Sequence, residues 1–427
     1  MLDDRAVIAR YFHRFGFGPK PGQYAAAVKV GPDAALKNIF NTNATSKIAD
    51  PVFEVLGPMP PVGAISRGAW NIKMRDQRNQ LTMWWLDRMA DVDNPFVERM
   101  TWFWHGHWAT SLSKVEYANA MYVQNQIFRK NALGNFQTHA RAMIMDGALQ
   151  YWLDNNSNNV KTPNENLARE LMELFTLGVN RYTEVDIKQA AKALTGYSLD
   201  RESGVVTFNP PRHDTSNQTI LGKTQNFDAL SLVDYLVSRD DCVTFISERL
   251  WYRFVSDENP LAGSAIQSSF VTRDISSAMN TLAKHPAMRD EANAMVKAPL
   301  EWFIGACRAL NVLPSQLGKA ENILGYLDKL AQKPFYPPNV GGWPAGEIWL
   351  TAANAQYRIE LAQMIVAAGD LTPITEVGLT NRVKKLADLL GVGAWTDRTK
   401  TALVASQTDP AKLITTALCA PEYMVSI

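Results

Sequence analysis

Glu170 and Glu173 lie three residues apart in the stretch TPNENLARELMELFTLGVNRYTEVDIKQAAKALTG, residues 162–196. On a helix this spacing puts two carboxyls on neighbouring turns of one face. Asn166 and Arg169 fall on the same strip. Two carboxyls flanked by an amide and a guanidinium suit general acid/base work or ligand binding. Two further groups carry chemistry. His105-Gly106-His107 is an H-x-H pair, and His213-Asp214 sets an imidazole beside a carboxyl. Imidazoles and carboxylates together suit Zn, Mn or Fe, and an open coordination position would activate water. The metal set read from the sequence is therefore His105, His107, His213 and Asp214. Glu170, Glu173, Asn166 and Arg169 fill the catalytic roles, and Glu98 stands in reserve. The plainer reading of the strip is a solvated face, with Glu165–Arg169 and Arg169–Glu173 as i,i+4 pairs worth a few tenths of a kcal/mol each.

The elements that must position these groups read as helices. Thr162, Pro163 and Glu165 have the pattern of a capping box with proline at the first helical position, and Gly178 suits the residue just past a C-terminus. Leu167, Ala168, Leu171, Met172, Leu174 and Phe175 cover about two thirds of that helix, which predicts burial. Thr183 and Asp186 cap a second helix ending at Gly196. Asp93-Asn94-Pro95 opens the helix of PFVERMTWFWHGHW, which Gly106 is expected to end. The two histidines would then straddle an irregular turn and aim their rings the same way. His13 and Arg14 sit in the last turn of a helix over 5–15, where positive charge is favoured. After Gly196 the pattern predicts a β-hairpin, 197–200 with 205–208, and a short strand at 219–221. Helices are expected over 228–238, 240–255, 264–283, 289–311 and 315–332. The block Lys333–Pro344 cannot be helical, and its prolines, glycines and Trp343 suggest a rigid wall or lid. Trp343 and Asn339 of this block, together with Trp108, are the candidate substrate contacts. The fold expected is mainly α, a large multi-helix bundle with one small β-ribbon near 197–222. It reads as a single helical domain over 1–427, with lobes at 1–94, 95–260 and 261–427.

Composition narrows the function classes. Of 427 residues, 46% are apolar and 20% charged, so a large core can be buried. A net charge of +1 without a basic block argues against a nucleic-acid partner. Cys242, Cys307 and Cys419 are few and far apart, which argues against a disulfide framework or cysteine zinc site. No run of 18 uncharged apolar residues predicts a membrane span. The opening MLDDRAVIAR does not read as a signal peptide, and a cytoplasmic protein is the default expectation.

Six segments, RYFHRFGFGP (10–19), ERMTWFWHGHWATS (98–111), 163–197, FNPPRHDTSNQTILG (208–222), VKAPLEWFIGACRAL (296–310) and PFYPPNVGGWPAGEIWL (334–350), resemble a bacterial family catalogued as domain of unknown function 1800. The resemblance runs over nearly the whole chain. It implies no settled activity. Many relatives look exported and their genes often neighbour a sulfatase-like family, which implies a periplasmic or extracellular setting and a protein partner as alternatives. Relatives often carry Asn and Phe at the second and fourth positions of His105-Gly106-His107-Trp108. Some have histidine at Phe175, and many have lysine at Gln218.

Three functions follow as expectations. The first is a metal-assisted hydrolase with a His/Glu/Asp pocket, a divalent transition metal, and a small-molecule, glycan or peptide substrate. The second is a non-catalytic binding or assembly protein presenting the rigid aromatic loop. The third is a metal-free carbohydrate-active enzyme using the paired glutamates, suited by twelve tryptophans.

Overall fold

Apolar residues at helical spacing recur along the chain. In a computed structural model, which describes residues 1–43 and 45–426, they form 23 α-helices among the described residues. The helices that position the candidate site are α1 (Asp4–Arg14), α2 (Ser66–Asp91), α3 (Phe96–His107), α4 (Ala118–Lys130), α5 (Asn166–Glu170), α6 (Glu184–Ala193), α7 (Asp240–Phe254) and α8 (Pro299–Ala309). None is long and apolar enough to cross a membrane.

Three antiparallel two-stranded ribbons complete the fold among the described residues. β1 (Tyr197–Leu199) pairs with β2 (Val206–Phe208), matching Tyr197 to Phe208, which is the expected hairpin. β3 (Gln218–Ile220) turns back onto β4 (Lys223–Gln225). The third ribbon lies within the stretch expected to be helical from 289. β5 (Met295–Val296) pairs there with β6 (Val425–Ser426), which ties the chain's end to its interior. Pro299 is the physical reason. A residue before proline is driven to extended backbone, and Ala298 has φ −60° and ψ 152°. Helix α8 therefore starts at the proline.

Two hydrophobic cores divide the apolar residues. One gathers Trp70 and Trp85 of α2, Trp102 of α3, Leu300 and Phe303 of α8, Phe335, Trp343 and the C-terminal helices. The other gathers Tyr11 of α1, Phe103 and Trp104 of α3, Leu171 and Phe175, Ile187 of α6 and Leu250 of α7. Helix α3 contributes to both. Every residue of it but Val97 is buried, so Glu98, Arg99, His105 and His107 must all find partners inside the protein.

Asn164, and not the expected Thr162–Glu165 capping box, opens α5. Asn164 Oδ1 accepts from Asn166 N at 2.9 Å. Thr162 instead pairs with Asn159 in an isolated bridge, and α5 begins three residues later than the capping signal predicts. The helix then widens into a π segment, Leu171–Thr176. Leu177 N reaches back five residues to Met172 O at 2.9 Å, the spacing that defines π geometry. Gly178 ends it at φ +94°. The Thr183–Asp186 capping box on α6 is present.

Candidate functional site

Helix α3 stays helical through Gly106, and this separates the two histidines. Residues at i and i+2 do not share a helix face. His105 turns into the first core, with its ring 5.3 Å from Trp85, 5.2 Å from Phe335 and 5.5 Å from Trp343, centroid to centroid. Its Nε2 accepts from the Phe335 amide at 3.0 Å, which places the ring proton on Nδ1. Burial pushes its pKa down to about 3. His107 turns into the second core, and its Nε2 donates to Phe175 O at 3.0 Å. Burial and the nearby Arg249 guanidinium push it well below the ordinary histidine range. The expected irregular turn does not form. Gly106 is instead where the Pro/Gly loop crosses α3, and a Cβ on Gly342 would lie 2.2 Å from Gly106 O.

His213 is half-buried, with Nδ1 3.0 Å from Thr195 O. Asp214 accepts from Ser216 N at 2.9 Å and Ser216 Oγ at 2.5 Å, a local turn. Glu98 is buried, and its carboxylate accepts from Arg88 Nε and Arg129 Nε at 2.6 Å each and from Trp85 Nε1 at 3.0 Å. Burial opposes its charge, but Arg129 and Arg88 outweigh that and hold it down at about 2. It is a saturated structural carboxylate. Among the described residues no three His, Cys, Asp or Glu side chains form a group that could hold a metal ion. The expected set of His105, His107, His213 and Asp214 thus forms no metal cluster. Each member is committed to its own hydrogen bond.

The acidic strip lies at the surface of the second core. Glu170 and Glu173 are both half-buried. Burial raises the Glu170 carboxyl, and the neighbouring Glu173 raises it further. Glu173 accepts from the Tyr182 hydroxyl. Arg169 does not pair with either glutamate. Its guanidinium forks onto Glu184 with two contacts of 2.8 Å and reaches Glu165 at 3.4 Å. Asn166 is exposed and lies 3.4 Å from Asp154 Oδ2.

A cleft of about 940 Å³ lies between the C-terminal half of α7 and the Pro/Gly loop. Trp343 and Asn339, two of the expected contacts, line it. Asn339 is exposed, and its Oδ1 accepts from Gly341 N at 2.8 Å, which shapes the loop. The Trp343 ring packs inward, 4.7 Å from Trp102, and is only 5% exposed. Trp108, the third expected contact, is fully buried with its ring 4.6 Å from Phe175, so it packs the core and reaches no cleft. Sequence reasoning missed four residues on the cleft wall, Arg249, Tyr252, Asp257 and Gln267. The first two sit in an ordinary amphipathic helix pattern that carries no functional signal. Burial pushes the Arg249 guanidinium down to about 10 and raises the Asp257 carboxyl. Arg249 Nε, Asp257 Oδ2, Gln267 Oε1 and Trp343 Nε1 are buried and have no hydrogen-bond partner among the described residues.

Sequence reasoning also passed over buried cations in the motif segments. Arg14, Arg99 and Lys297 are at most 4% exposed. His13 and Arg14, read as helix-end charges, are interior groups. No curated protein and no solved structure matches the chain. A family model does match, from residue 10 to residue 425, and the chain therefore belongs to the family described as Protein of unknown function (DUF1800).

Proposed function

We propose that the chain binds a hydroxyl-rich, uncharged ligand of oligosaccharide size in the cleft beneath the Pro/Gly loop, without a metal. The observation that carries this reading is that four residues lining the cleft each hold a buried polar atom with no hydrogen-bond partner among the described residues. Arg249 Nε and Trp343 Nε1 are donors, while Asp257 Oδ2 and Gln267 Oε1 are acceptors. A hydroxyl group both donates and accepts, so one ligand type satisfies both kinds. The volume falls in the ordinary range for ligand sites. Glu248, Asp257 and Glu258 set three carboxyls against Arg249 on this wall, which disfavours a polyanionic ligand. Asp257 is the group with proton-donor character, since burial raises its carboxyl.

The metal-assisted reading lacks a three-donor group among the described residues. The Glu170–Glu173 pair supports a second, acid/base reading through its π segment, a geometry that recurs at functional sites.

The test is titration of the purified protein with neutral and acidic soluble oligosaccharides, followed by calorimetry. Arg249→Ala and Asp257→Asn should each weaken the binding of a neutral glycan by about tenfold, the loss of one good hydrogen bond. No binding by any saccharide, or binding by both variants as tight as that of the parent, overturns the proposal. Stoichiometric metal in protein purified without chelator would return the first place to the metal reading.

A further inference from the structure

Apolar side chains stand in water where the chain enters α2. Among the described residues the large apolar side chains more than 80% exposed are Met1, Val52, Val55, Val62 and Ile65. All but Met1 thus fall within residues 52–65. A loose segment does not account for this, because side chains of α2 strap it antiparallel along the helix. Arg67 Nη1 donates to Pro60 O at 2.8 Å, and Gln77 Nε2 donates to Glu54 O at 2.7 Å. Trp70 Nε1 and Gln80 Nε2 reach Gly57 O and Val52 O, at 3.4 Å each. Glu202, between β1 and β2, accepts from the Leu56 and Gly57 amides.

Ile65 already has helical backbone, with φ −57° and ψ −37°. Ile65, Ala69 and Ile72 therefore lie on successive turns of one face, and Gly68 joins them. All four are exposed, Ile65 fully and Ile72 by 53%. Trp70 and Met74, on the opposite face, are buried, so this stripe is not the core side of the helix. A Cβ on Gly68 would meet nothing within 4 Å. An exposed glycine weakens a helix, and no described residue requires one here.

Charge and symmetry narrow what covers the stripe. Lys73 pairs with Glu54 at 2.6 Å, and Arg75 with Asp76 at 2.9 Å. Of the cations between 62 and 76, Arg67 alone lacks a carboxylate partner among the described residues. The stripe also holds no aromatic ring, and both facts disfavour a lipid surface. Ile65 and Ile72 flank Gly68 and Ala69, so the stripe reads alike from either end. Two copies crossing antiparallel about an axis at Gly68–Ala69 would set Ile65 of each against Ile72 of the other. The small pair at the axis permits a close approach. Val62 would meet the aliphatic stem of Arg75. With the flanking valines, such a pair removes on the order of 1,000 Å² from water, the low end for specific association.

We propose that this stripe joins two copies of the chain as a weak, reversible two-fold dimer. Neither Val62 nor any residue of 65–76 lines the cleft. Both clefts stay open in the pair, and the inference stands whether or not a glycan binds there.

The test is sedimentation equilibrium of the full chain from micromolar to millimolar concentration. The parent should pass from monomer to dimer. Ile65→Glu combined with Ile72→Glu should weaken association about a hundredfold, as charges do at the centre of an apolar contact. Both positions face solvent, so the melting temperature at low concentration should match the parent's. Ala69→Cys, beside the axis, should give a disulfide-linked dimer on mild oxidation, and Val271→Cys, exposed elsewhere, should not. A parent that stays monomeric throughout, or a dimer that survives the double variant, overturns the assignment. So does a monomer that sediments with phospholipid vesicles in place of self-association, which would make the stripe a membrane contact.

Discussion

The backbone N–H of Phe335 donates to Nε2 of His105 across 3.0 Å, and Phe335 holds a left-handed φ of +66° to do so. A bulky residue in that region is strained and persists only where its surroundings hold it. This bond, with the Trp102–Trp343 contact, clamps the Pro/Gly loop onto α3 and so shapes the cleft. His105→Phe keeps the aromatic volume and removes the acceptor. The expected cost is about 1–3 kcal/mol, that of leaving a buried amide unpaired. Amide exchange should also quicken across 334–343. Urea unfolding within about 0.5 kcal/mol of the parent, the scatter of a neutral surface change, would show that the bond does not anchor the loop.

Acid should unfold this protein early. His105 and His139 are fully buried, and burial holds both near 3 in the folded state. An unfolded histidine titrates near 6.5. Between those values the unfolded chain binds more protons, so the contribution of the neutral histidines is complete above about 6.5 and is lost as pH falls. Each one removes about 1.4 kcal/mol per pH unit in that window. Urea midpoints measured at pH 7.5 and pH 5.0 should therefore differ strongly, and His139→Phe should flatten the slope. Equal midpoints at the two pH values would mean that at least one ring is reached by solvent.

What was legible in the sequence follows from what local rules can carry. Periodicity marked most helices, and turn residues marked the 197–208 hairpin. The apolar circumference of the α5 region predicted burial, and Leu167, Leu171 and Phe175 are buried. The capping pattern at Thr162 misled because Asn159 engages the Thr162 hydroxyl, at 2.8 Å, and Asn164 caps the Asn166 amide instead. The His-x-His motif misled because its meaning depends on one glycine. Gly106 remains helical, and the rings part into different cores. The crossing of Gly342 over Gly106 joins residues more than 200 positions apart, and no spacing rule signals it. The buried cations were hidden for a similar reason. Arg14 reads as a helix-end charge until Val255 and Ser426 are seen to close over it.

Two glycines at that crossing should respond differently to alanine. Gly342 has φ +80°, and a Cβ there would meet Gly106 O at 2.2 Å. Both backbone strain and overlap oppose Gly342→Ala, for a loss of about 2–4 kcal/mol. A Cβ on Gly106 would meet nothing closer than Arg253 Nη2, at 3.9 Å. Inside a helix, Gly106→Ala should be neutral or stabilising by up to about 1 kcal/mol. Chemical denaturation of the two variants side by side reads this directly. A larger loss at Gly106 would mean that the loop lies closer to α3 than the contacts above.

The start of α5 separates a true cap from an apparent one. Asn164 holds the Asn166 amide through its side chain, while its own N–H donates to Asn158 Oδ1 at 2.8 Å. Glu165 caps nothing, and among the described residues its one ion pair is the 3.4 Å approach of Arg169, with both side chains more than a third exposed. Solvent screens such a pair, and Arg169 keeps Glu184 when Glu165 is removed. Glu165→Ala should therefore cost less than about 0.5 kcal/mol. Asn164→Ala should cost about 1 kcal/mol, as loss of a capping side chain does. The π segment follows within two turns, so loosening at Asn164 should also raise amide exchange at Leu177 and Gly178, whose N–H groups bond to Met172 O. If Glu165→Ala proves the more damaging change, the Thr162 register is the populated one and α5 begins at Pro163.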